Sequence, residues 1–166
     1  ACQFHWFNRD YSSFDDFLAT LNSRKRKNIR RERQKVAERG TRFETLNGAD
    51  ISPKHWNTFY QFYQSTYMMR GMHGYLSQDF FAELARLMPE QLFMIVALDG
   101  DKMIAAALFF RNNKKVFGRY WGSAQDYQFL HFETCYYQGQ EYCIEHKLQS
   151  FDSGAQGEHK IQRGFE

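Results

Sequence analysis

The chain has 166 residues, a length typical of a single domain with a hydrophobic core. Aromatic side chains make up 18% of it, which excludes an intrinsically disordered protein, and no apolar run reaches the roughly 18–20 residues of a membrane span. The first residues, ACQFHWFN, lack the basic start and apolar core of a signal peptide. The three cysteines, Cys2, Cys135 and Cys143, form no CxxC pair, so we expect a reduced, cytoplasmic protein.

The net charge of +3 is concentrated in one segment. Residues 24–39 hold nine Lys and Arg against two Glu, so this segment carries +7 while the rest of the chain carries −4. Such an asymmetry predicts a polyanionic partner, which could be nucleic acid, a phospholipid surface or a pyrophosphate-bearing substrate. The alternative is a solvated helix face that binds nothing.

Local patterns in the first half predict a strand, a helix, a second strand and two more helices. Ser12 and Ser13 precede a helix with acids in its first turn, and this helix is predicted to run unbroken to about Arg39. Ser52-Pro53 is typical of a helix start. The predicted elements are strand Gln3–Phe7, helix Phe14–Arg39, strand Thr41–Leu46, a helix from Pro53, and helix Gln78–Met88.

The second half predicts three consecutive antiparallel strands, because two apolar runs are separated by Asp99-Gly100 and a third strand follows Asn112-Asn113. The first two strands are apolar on both faces, so helices should cover both faces of the sheet. The predicted elements are strands Leu92–Leu98, Met103–Phe110 and Val116–Gly122, helix His131–Lys147, and strand Gln149–Asp152. This order predicts an α+β protein, an α/β sandwich around a largely antiparallel sheet.

Several stretches resemble a known family: VFGRYWG, LHFETCYYQGQEYCIEH and FDSGAQGEHKIQRGF, together with the basic segment. The chain resembles the C-terminal half of FemAB-like proteins, a peptidoglycan biosynthesis/recognition family of the GNAT superfamily, over nearly all of its 166 residues. The resemblance implies a truncated GNAT-like domain, with 1–13 as the tail of a preceding half, 14–39 as the basic helix, 41–152 as the sheet and helices, and 153–166 as a Gly-rich charged segment. We therefore expect this chain to be part of a longer protein whose N-terminal half is its partner.

The resemblance also implies a transferase that carries an acyl or aminoacyl group to an amine. Fem ligases use aminoacyl-tRNA and extend the peptide of a cell-wall precursor, so aminoacyl-tRNA and acyl-CoA are the candidate donors. GNAT acetyltransferases carry a Gly-rich loop for CoA pyrophosphate after the corresponding strand, whereas this chain has SAQDYQFLHFE without glycine. An acetyl-CoA-dependent N-acetyltransferase is therefore the alternative function. A non-catalytic module that recognises nucleic acid or cell-wall material is the third.

The basic segment contributes three candidate substrate-binding residues. At 100° per residue, Lys25 falls in the same apolar stripe as Phe14 and Val36, where a lysine must snorkel, find a partner or face a cleft. One hypothesis places Lys25, Arg26 and Arg30 against substrate phosphate or tRNA. The other is that Lys25 snorkels to solvent.

Three further candidates flank the late helix. Arg119 lies in an aromatic strand between glycines that leave room for a backbone or a ligand, and the resemblance supports a binding role. His131 and Glu133 open the helix, the first as a substrate-binding candidate and the second as a general-base candidate or a simple helix-start carboxylate. The His and Cys spacings of this helix place two pairs three turns apart, so a metal site is not expected.

The segment Gly154–Phe165 completes the predicted site as a flexible, exposed loop. Its glycines permit tight turns near a substrate, and it follows the strand at which a GNAT-like sheet opens. Glu158 or His159 could take a proton from the amine, while Lys160 or Arg163 could hold an oxyanion or phosphate. Gln156 is a further binding candidate. We expect Arg119 and Glu133 to face the same cleft as this segment.

Overall fold

The computed structural model describes residues 3–69, 71, 74–155 and 157–166, which form a mixed α/β structure with a six-stranded sheet flanked by helices. The strands are β1 (His5–Phe7), β2 (Arg42–Asn47), β3 (Leu92–Asp99), β4 (Lys102–Arg111), β5 (Lys115–Ser123) and β6 (Ser150–Asp152). The α-helices are α1 (Phe14–Leu18), α2 (Ser23–Glu38), α3 (Pro53–Met68), α4 (Gln78–Leu87) and α5 (Gln138–Glu145). A π-helix (Phe132–Tyr137) leads into α5, and a C-terminal 3₁₀ helix covers Glu158–Arg163. Among the described helices, none has the length and apolar character needed to cross a membrane.

The sheet has the strand order β1-β6-β5-β4-β3-β2. The strands β2 to β5 pair in an antiparallel arrangement, as the predicted meander requires, and β1 pairs antiparallel with β6. The pair β5–β6 is parallel. Asp152, the last residue of β6, lies beside Phe117 near the start of β5, and the candidate site lies just beyond this pair.

Both faces of the sheet are covered by helices, which confirms the prediction from the apolar strands. Alternate residues of β3 point to opposite faces: Phe93 and Ile95 pack with α1, α2 and α5, whereas Met94 and Val96 pack with α3 and α4. Gly122 of β5 allows the close approach of α3, since a Cβ at this position would come within 2.4 Å of the α3 backbone. The central strands are therefore buried on both sides.

The prediction of one unbroken helix from Phe14 to Arg39 is wrong. The chain leaves the helical path after Leu18, and Asn22 adopts an extended conformation in which its side chain accepts the N–H of Lys25 at 2.9 Å. Asn22 is thus the N-cap of a new helix, a role that its short amide side chain favours. The residues before and after Asn22 consequently do not share one continuous apolar stripe.

Candidate functional site

The candidate site is a cleft where β5 and β6 part. The two strands pair over three residues each, and β5 then continues to Ser123 while the chain turns away after Asp152. The gap holds a cavity of about 180 Å³, whose apolar walls include Phe109, Trp121 and Phe151. Its polar lining includes Arg119, His131, Cys135, Tyr136, Ser153 and Lys160.

Arg119 reaches the cleft from a β-bulge. The pairing of β4 with β5 shifts between Leu108 and Phe109, which leaves Arg119 as an extra residue on β5. Bulges of this kind redirect a side chain away from the regular alternation of the strand. The Arg119 guanidinium donates to the Gly118 carbonyl at 2.9 Å and lies 3.5 Å from the Asp152 carboxylate, with about a third of the side chain exposed. It therefore keeps unused donors at the cleft.

Lys160 enters the cleft from the opposite wall and is 4% exposed. Its ammonium donates to the Ser153 carbonyl at 2.7 Å and to the Gly154 carbonyl at 3.4 Å. Burial lowers the pKa of Lys160; the Asp152 carboxylate acts in the opposite direction, and the nearby Arg119 charge adds to the lowering. The ammonium has one N–H left for a substrate oxygen, and the expectation that Lys160 lies in an exposed loop is wrong.

Tyr136 and His159 form a hydrogen-bonded pair at the edge of the cleft, with 2.9 Å between the Tyr136 hydroxyl and His159 Nε2. His159 is exposed on one side, but the partial desolvation of its ring against Phe132 and Tyr136 lowers its pKa, and the charges of Arg163 and Lys160 lower it further. A neutral imidazole can accept the Tyr136 proton at Nε2. Burial also raises the pKa of Tyr136, so the hydroxyl keeps its proton and acts as a donor.

The π-helix explains why residues that are neighbours in the sequence face two different places, the cleft and α2. Its wider turn directs Cys135 and Tyr136 to the cleft and Glu133 to α2. His131, just before the π-helix, packs between the rings of Trp121 at 5.2 Å and Tyr136 at 5.3 Å. Burial raises the pKa of the Cys135 thiol, which therefore stays protonated and is a poor nucleophile.

Glu133 lies outside the cleft, so the prediction that it faces the same cleft as Arg119 is wrong. It is 3% exposed, and its two carboxylate oxygens each accept a 2.9 Å hydrogen bond from Arg33 of α2. Gln138 donates a third bond, and Arg33 also contacts Glu141 at 2.7 Å. Burial disfavours the charged guanidinium, but the two carboxylates raise the pKa of Arg33 above its ordinary value. These contacts give Glu133 a structural role.

Arg163 is likewise turned away from the cleft. Its guanidinium donates two hydrogen bonds to Glu32 of α2, at 3.2 and 2.7 Å, and a third to the His159 carbonyl at 2.7 Å. The guanidinium stacks 3.6 Å from the centre of the Phe132 ring. The Tyr137 hydroxyl also donates to Glu32, and burial together with this carboxylate raises the pKa of Tyr137. We call the pairs Glu32–Arg163 and Arg33–Glu133 the α2 clamp.

The remaining predicted residues are dispersed. Lys25 lines a second, polar cavity of about 500 Å³ between α2 and the 3₁₀ helix, which Arg163 also borders. Arg26 donates to the Leu21 carbonyl at 2.9 Å, and Arg30 lies 3.8 Å from Asp15 on the surface. Glu158 is exposed and is not part of the cleft lining. The prediction for Gln156 falls outside the described residues.

Sequence reasoning missed Tyr136 and Asp152. Asp152 is 8% exposed, accepts the Gly154 N–H at 2.8 Å and contacts Arg119 and His5. A signal for it was present, because a carboxylate at the end of a buried strand needs a cationic partner. Tyr136 gave no signal, since a tyrosine in an aromatic helix looks like any core residue.

The chain belongs to the FemAB-like family, described as peptidoglycan biosynthesis/recognition, which matches residues 1–166. No curated protein shows significant sequence similarity to it. Similar folds do occur among solved structures, at identities of 10–13% that concern the fold alone.

Three such structures are similar over almost the whole chain. The C-terminal domain (DUF2156) of a putative lysylphosphatidylglycerol synthetase from Agrobacterium fabrum has a TM-score of 0.63 at 13% identity, with 97% of this chain and 48% of that one covered. A conserved protein of unknown function from Bacteroides thetaiotaomicron has a TM-score of 0.66 at 10% identity, with coverages of 98% and 54%. L-PGS from Bacillus licheniformis has a TM-score of 0.61 at 13% identity, with coverages of 92% and 45%. The chain thus spans about half the length of these structures.

Proposed function

We propose that the cleft is the site at which a Fem-like domain transfers an acyl or aminoacyl group to an amine. The observation that carries this proposal is that the parallel strands β5 and β6 separate around a cavity. Arg119, His131 and Lys160 line this cavity. Membership of the FemAB-like family supports an amine of a peptidoglycan precursor as the acceptor. A protein of similar fold is a putative lysylphosphatidylglycerol synthetase, which supports aminoacyl attachment as the reaction class.

We further propose that the fold is GNAT-like. Two helices follow strand β2, three antiparallel strands come next, and a helix then leads to a strand parallel to β5. In open sheets of this kind a ligand enters where neighbouring strands separate. The stretch from Ser123 to Phe132 contains no glycine, so it lacks the flexible phosphate loop that acetyl-CoA would need. Aminoacyl-tRNA is therefore the favoured donor.

Lys160 and Arg119 supply positive charge on opposite walls of the proposed site. The amine nitrogen of the acceptor attacks the carbonyl carbon of the aminoacyl ester, a C–N bond forms, and the carbonyl oxygen becomes an oxyanion. The remaining N–H of Lys160 stabilises this oxyanion, and Arg119 holds a phosphate or carboxylate of the substrate. The C–O bond to the carrier then breaks, and the carrier oxygen leaves with the electron pair.

Tyr136 and His159 transfer the proton in the proposed reaction. An amine loses one proton when it becomes an amide nitrogen, and the leaving oxygen takes one up. The Tyr136 hydroxyl lines the cleft and is bonded to His159, so a proton can pass from the reacting nitrogen through Tyr136 to the imidazole and return. The lowered pKa of His159 keeps the imidazole in its accepting form near neutral pH.

The test is a transfer assay with the intact protein. It is incubated with tRNA charged with a radiolabelled amino acid and with a peptidoglycan precursor that carries a free amine. We expect label to appear in the precursor peptide. Isothermal titration with acetyl-CoA forms the second arm, in which micromolar binding would support the N-acetyltransferase alternative. Binding of charged tRNA without any transfer would contradict the catalytic proposal and favour a recognition module.

A further inference from the structure

We infer that one flank of α2, together with the aromatic loop 124–130, is a track for single-stranded RNA. The inference rests on the proposed function for the identity of the RNA as an aminoacyl carrier, but binding itself can be measured without transfer. The observations that carry it are the spacing of cations on α2, the rings beside them and the polar cavity at one end. Arg26 and Arg30, on the opposite flank, are not part of the track.

The cations of the track recur at helical spacing. Arg24, Arg31, Lys35 and Arg39 are separated by seven, four and four residues, so at 3.6 residues per turn they lie on one side of the helix. We call these four residues the basic flank. With a rise of about 1.5 Å per residue the basic flank extends for roughly 22 Å, long enough to follow several consecutive phosphates.

The charges of the basic flank are not neutralised within the described part of the chain. No carboxylate there forms an ion pair with any of its four members, and all four side chains are exposed. Of the two glutamates of α2, Glu32 is buried against Arg163. Glu38 accepts a hydrogen bond from Gln34 at 2.9 Å. A row of unpaired cations on a chain that is otherwise acidic favours a polyanion.

Aromatic rings from the loop after β5 lie against the basic flank. The Arg31 guanidinium is 5.5 Å from the centre of the Phe129 ring, and that of Arg39 is 5.8 Å from the Tyr127 ring. Arg39 also donates to the Gln128 carbonyl at 2.8 Å, which fixes the loop to the helix. Half-buried rings and guanidinium planes are surfaces on which unpaired bases stack. Cations suited to phosphates and rings suited to bases are therefore found side by side on the same surface.

RNA fits this surface better than a membrane does. A helix that lies in a lipid interface exposes an apolar face, but the apolar residues of α2, Ile29 and Val36, are 1% exposed and belong to the core. The described exposed large apolar side chains, among them Met68, Met69 and Tyr75, lie on other elements. A purely electrostatic contact with lipid headgroups would also make no use of the aromatic rings beside the basic flank.

The track ends near the proposed site. At its N-terminal end, Arg24 and Lys25 border the polar cavity of about 500 Å³, and Gln162 and Arg163 of the 3₁₀ helix form its other side. The same 3₁₀ helix carries Lys160 into the cleft. An RNA strand that follows the basic flank toward Arg24 is thus directed to the 3₁₀ helix that bears Lys160.

Binding of a fluorescein-labelled 12-nucleotide single-stranded RNA, measured by anisotropy across a salt series, tests the inference. Removing two cations with Arg31→Gln and Lys35→Gln should weaken binding about tenfold or more at low salt and reduce the slope of log K against log salt by about 1.4. The matched control is Lys54→Gln with Lys102→Gln, which removes the same charge from exposed positions elsewhere and should leave binding nearly unchanged. Phe129→Leu, which keeps an apolar side chain but loses the ring face, should weaken binding about tenfold.

Several results would overturn the inference. Equal weakening by the flank variant and its control would show a response to net charge rather than to a track. Binding to phosphatidylglycerol vesicles with no measurable affinity for the RNA would identify a lipid surface instead. Retained RNA affinity in the Arg31 and Lys35 variant would show that the basic flank is a solvated face. If RNA binds through the flank but no aminoacyl group is transferred, the track stands and the proposed catalytic function fails.

Discussion

The α2 clamp and the cleft both contain buried charged side chains, and the two regions differ in how many hydrogen-bond partners those charges have. In the clamp, Glu32 and Glu133 each accept two hydrogen bonds from one guanidinium, and each accepts a further bond from a neighbouring side chain. In the cleft, Arg119 lies 3.5 Å from Asp152 and keeps unused donors, and Lys160 has an N–H available. Satisfied charges of this kind hold elements together, whereas charges left with unused donors beside a cavity can act on a substrate.

The clamp should give the largest change in stability. Arg163→Met removes the guanidinium and leaves the buried Glu32 carboxylate with Tyr137, so we expect a loss of about 3–5 kcal/mol in the free energy of unfolding. Urea denaturation measures it. Arg9→Met is the matched control, because the Arg9–Glu166 pair has the same chemistry but both side chains are more than half exposed, and its loss should stay below about 1 kcal/mol. Similar losses in both variants would contradict the clamp.

Lys160 should give the largest change in activity. Lys160→Met keeps the apolar stem but removes the ammonium, so transfer should fall by about 10²-fold or more. The unfolding free energy should fall by about 1–3 kcal/mol, since two carbonyls lose a buried donor, and the protein should remain folded. The control is Glu158→Gln, an exposed substitution on the same helix with wild-type turnover expected. Full activity of the Lys160 variant would remove the lysine from the mechanism.

A smaller change is expected at Arg119. Arg119→Gln removes the charge but keeps some hydrogen-bonding capacity, so kcat/KM should drop about tenfold, mainly through a higher KM. Stability should change by less than about 1 kcal/mol, because the Arg119 side chain is about a third exposed and the buried Asp152 carboxylate keeps the Gly154 N–H and His5 as partners. Steady-state kinetics and thermal unfolding check the two parts. Arg42→Gln, which removes an exposed arginine from β2, should alter neither quantity.

The smallest effect concerns pH. Because the pKa of His159 lies below the ordinary value of 6.5, its neutral form persists at that pH, and transfer should decline only as the pH falls further. The same neutral form favours folding above 6.5, and this contribution is lost as pH falls through the lowered pKa. The transfer rate measured as a function of pH checks this. His159→Gln should reduce the rate a few-fold and abolish the decline of the rate at acidic pH, which we call the acidic limb. His146→Gln, far from the cleft lining, should keep it; an unchanged limb in the His159 variant would exclude the proposed relay.

Much of the fold could be predicted from local pattern. The apolar runs and the turn residues between them identified the meander, and Ser52-Pro53 marked the start of α3. The break at Asn22 was missed because an asparagine within a charged run is compatible with a helix interior as well as with an N-cap. The bulge at Arg119 could not be seen at all, since it depends on the register between β4 and β5.

The site was harder to predict, because the role of each charged residue depends on a partner that is distant in the sequence. Arg163 and Lys160 stand three residues apart and looked equivalent in the sequence. Arg163 pairs with Glu32, which is 131 residues away, and Glu133 pairs with Arg33, which is 100 residues away. A buried carboxylate such as Glu32 needs a partner, but the sequence does not show which residue provides it. The distinction between clamp and cleft therefore required the tertiary structure.

A crystal structure with a stable analogue of the donor tests the central claim most directly. The analogue is an aminoacylated adenosine in which an amide replaces the reactive ester, soaked into crystals of the intact protein. We predict density for the aminoacyl group between β5 and β6, with its carbonyl oxygen within hydrogen-bond distance of Lys160 Nζ and with Arg119 and Tyr136 in contact. Density for the bound analogue at another surface, with Lys160 still bonded to Ser153 and Gly154 in an empty cleft, would contradict the proposal.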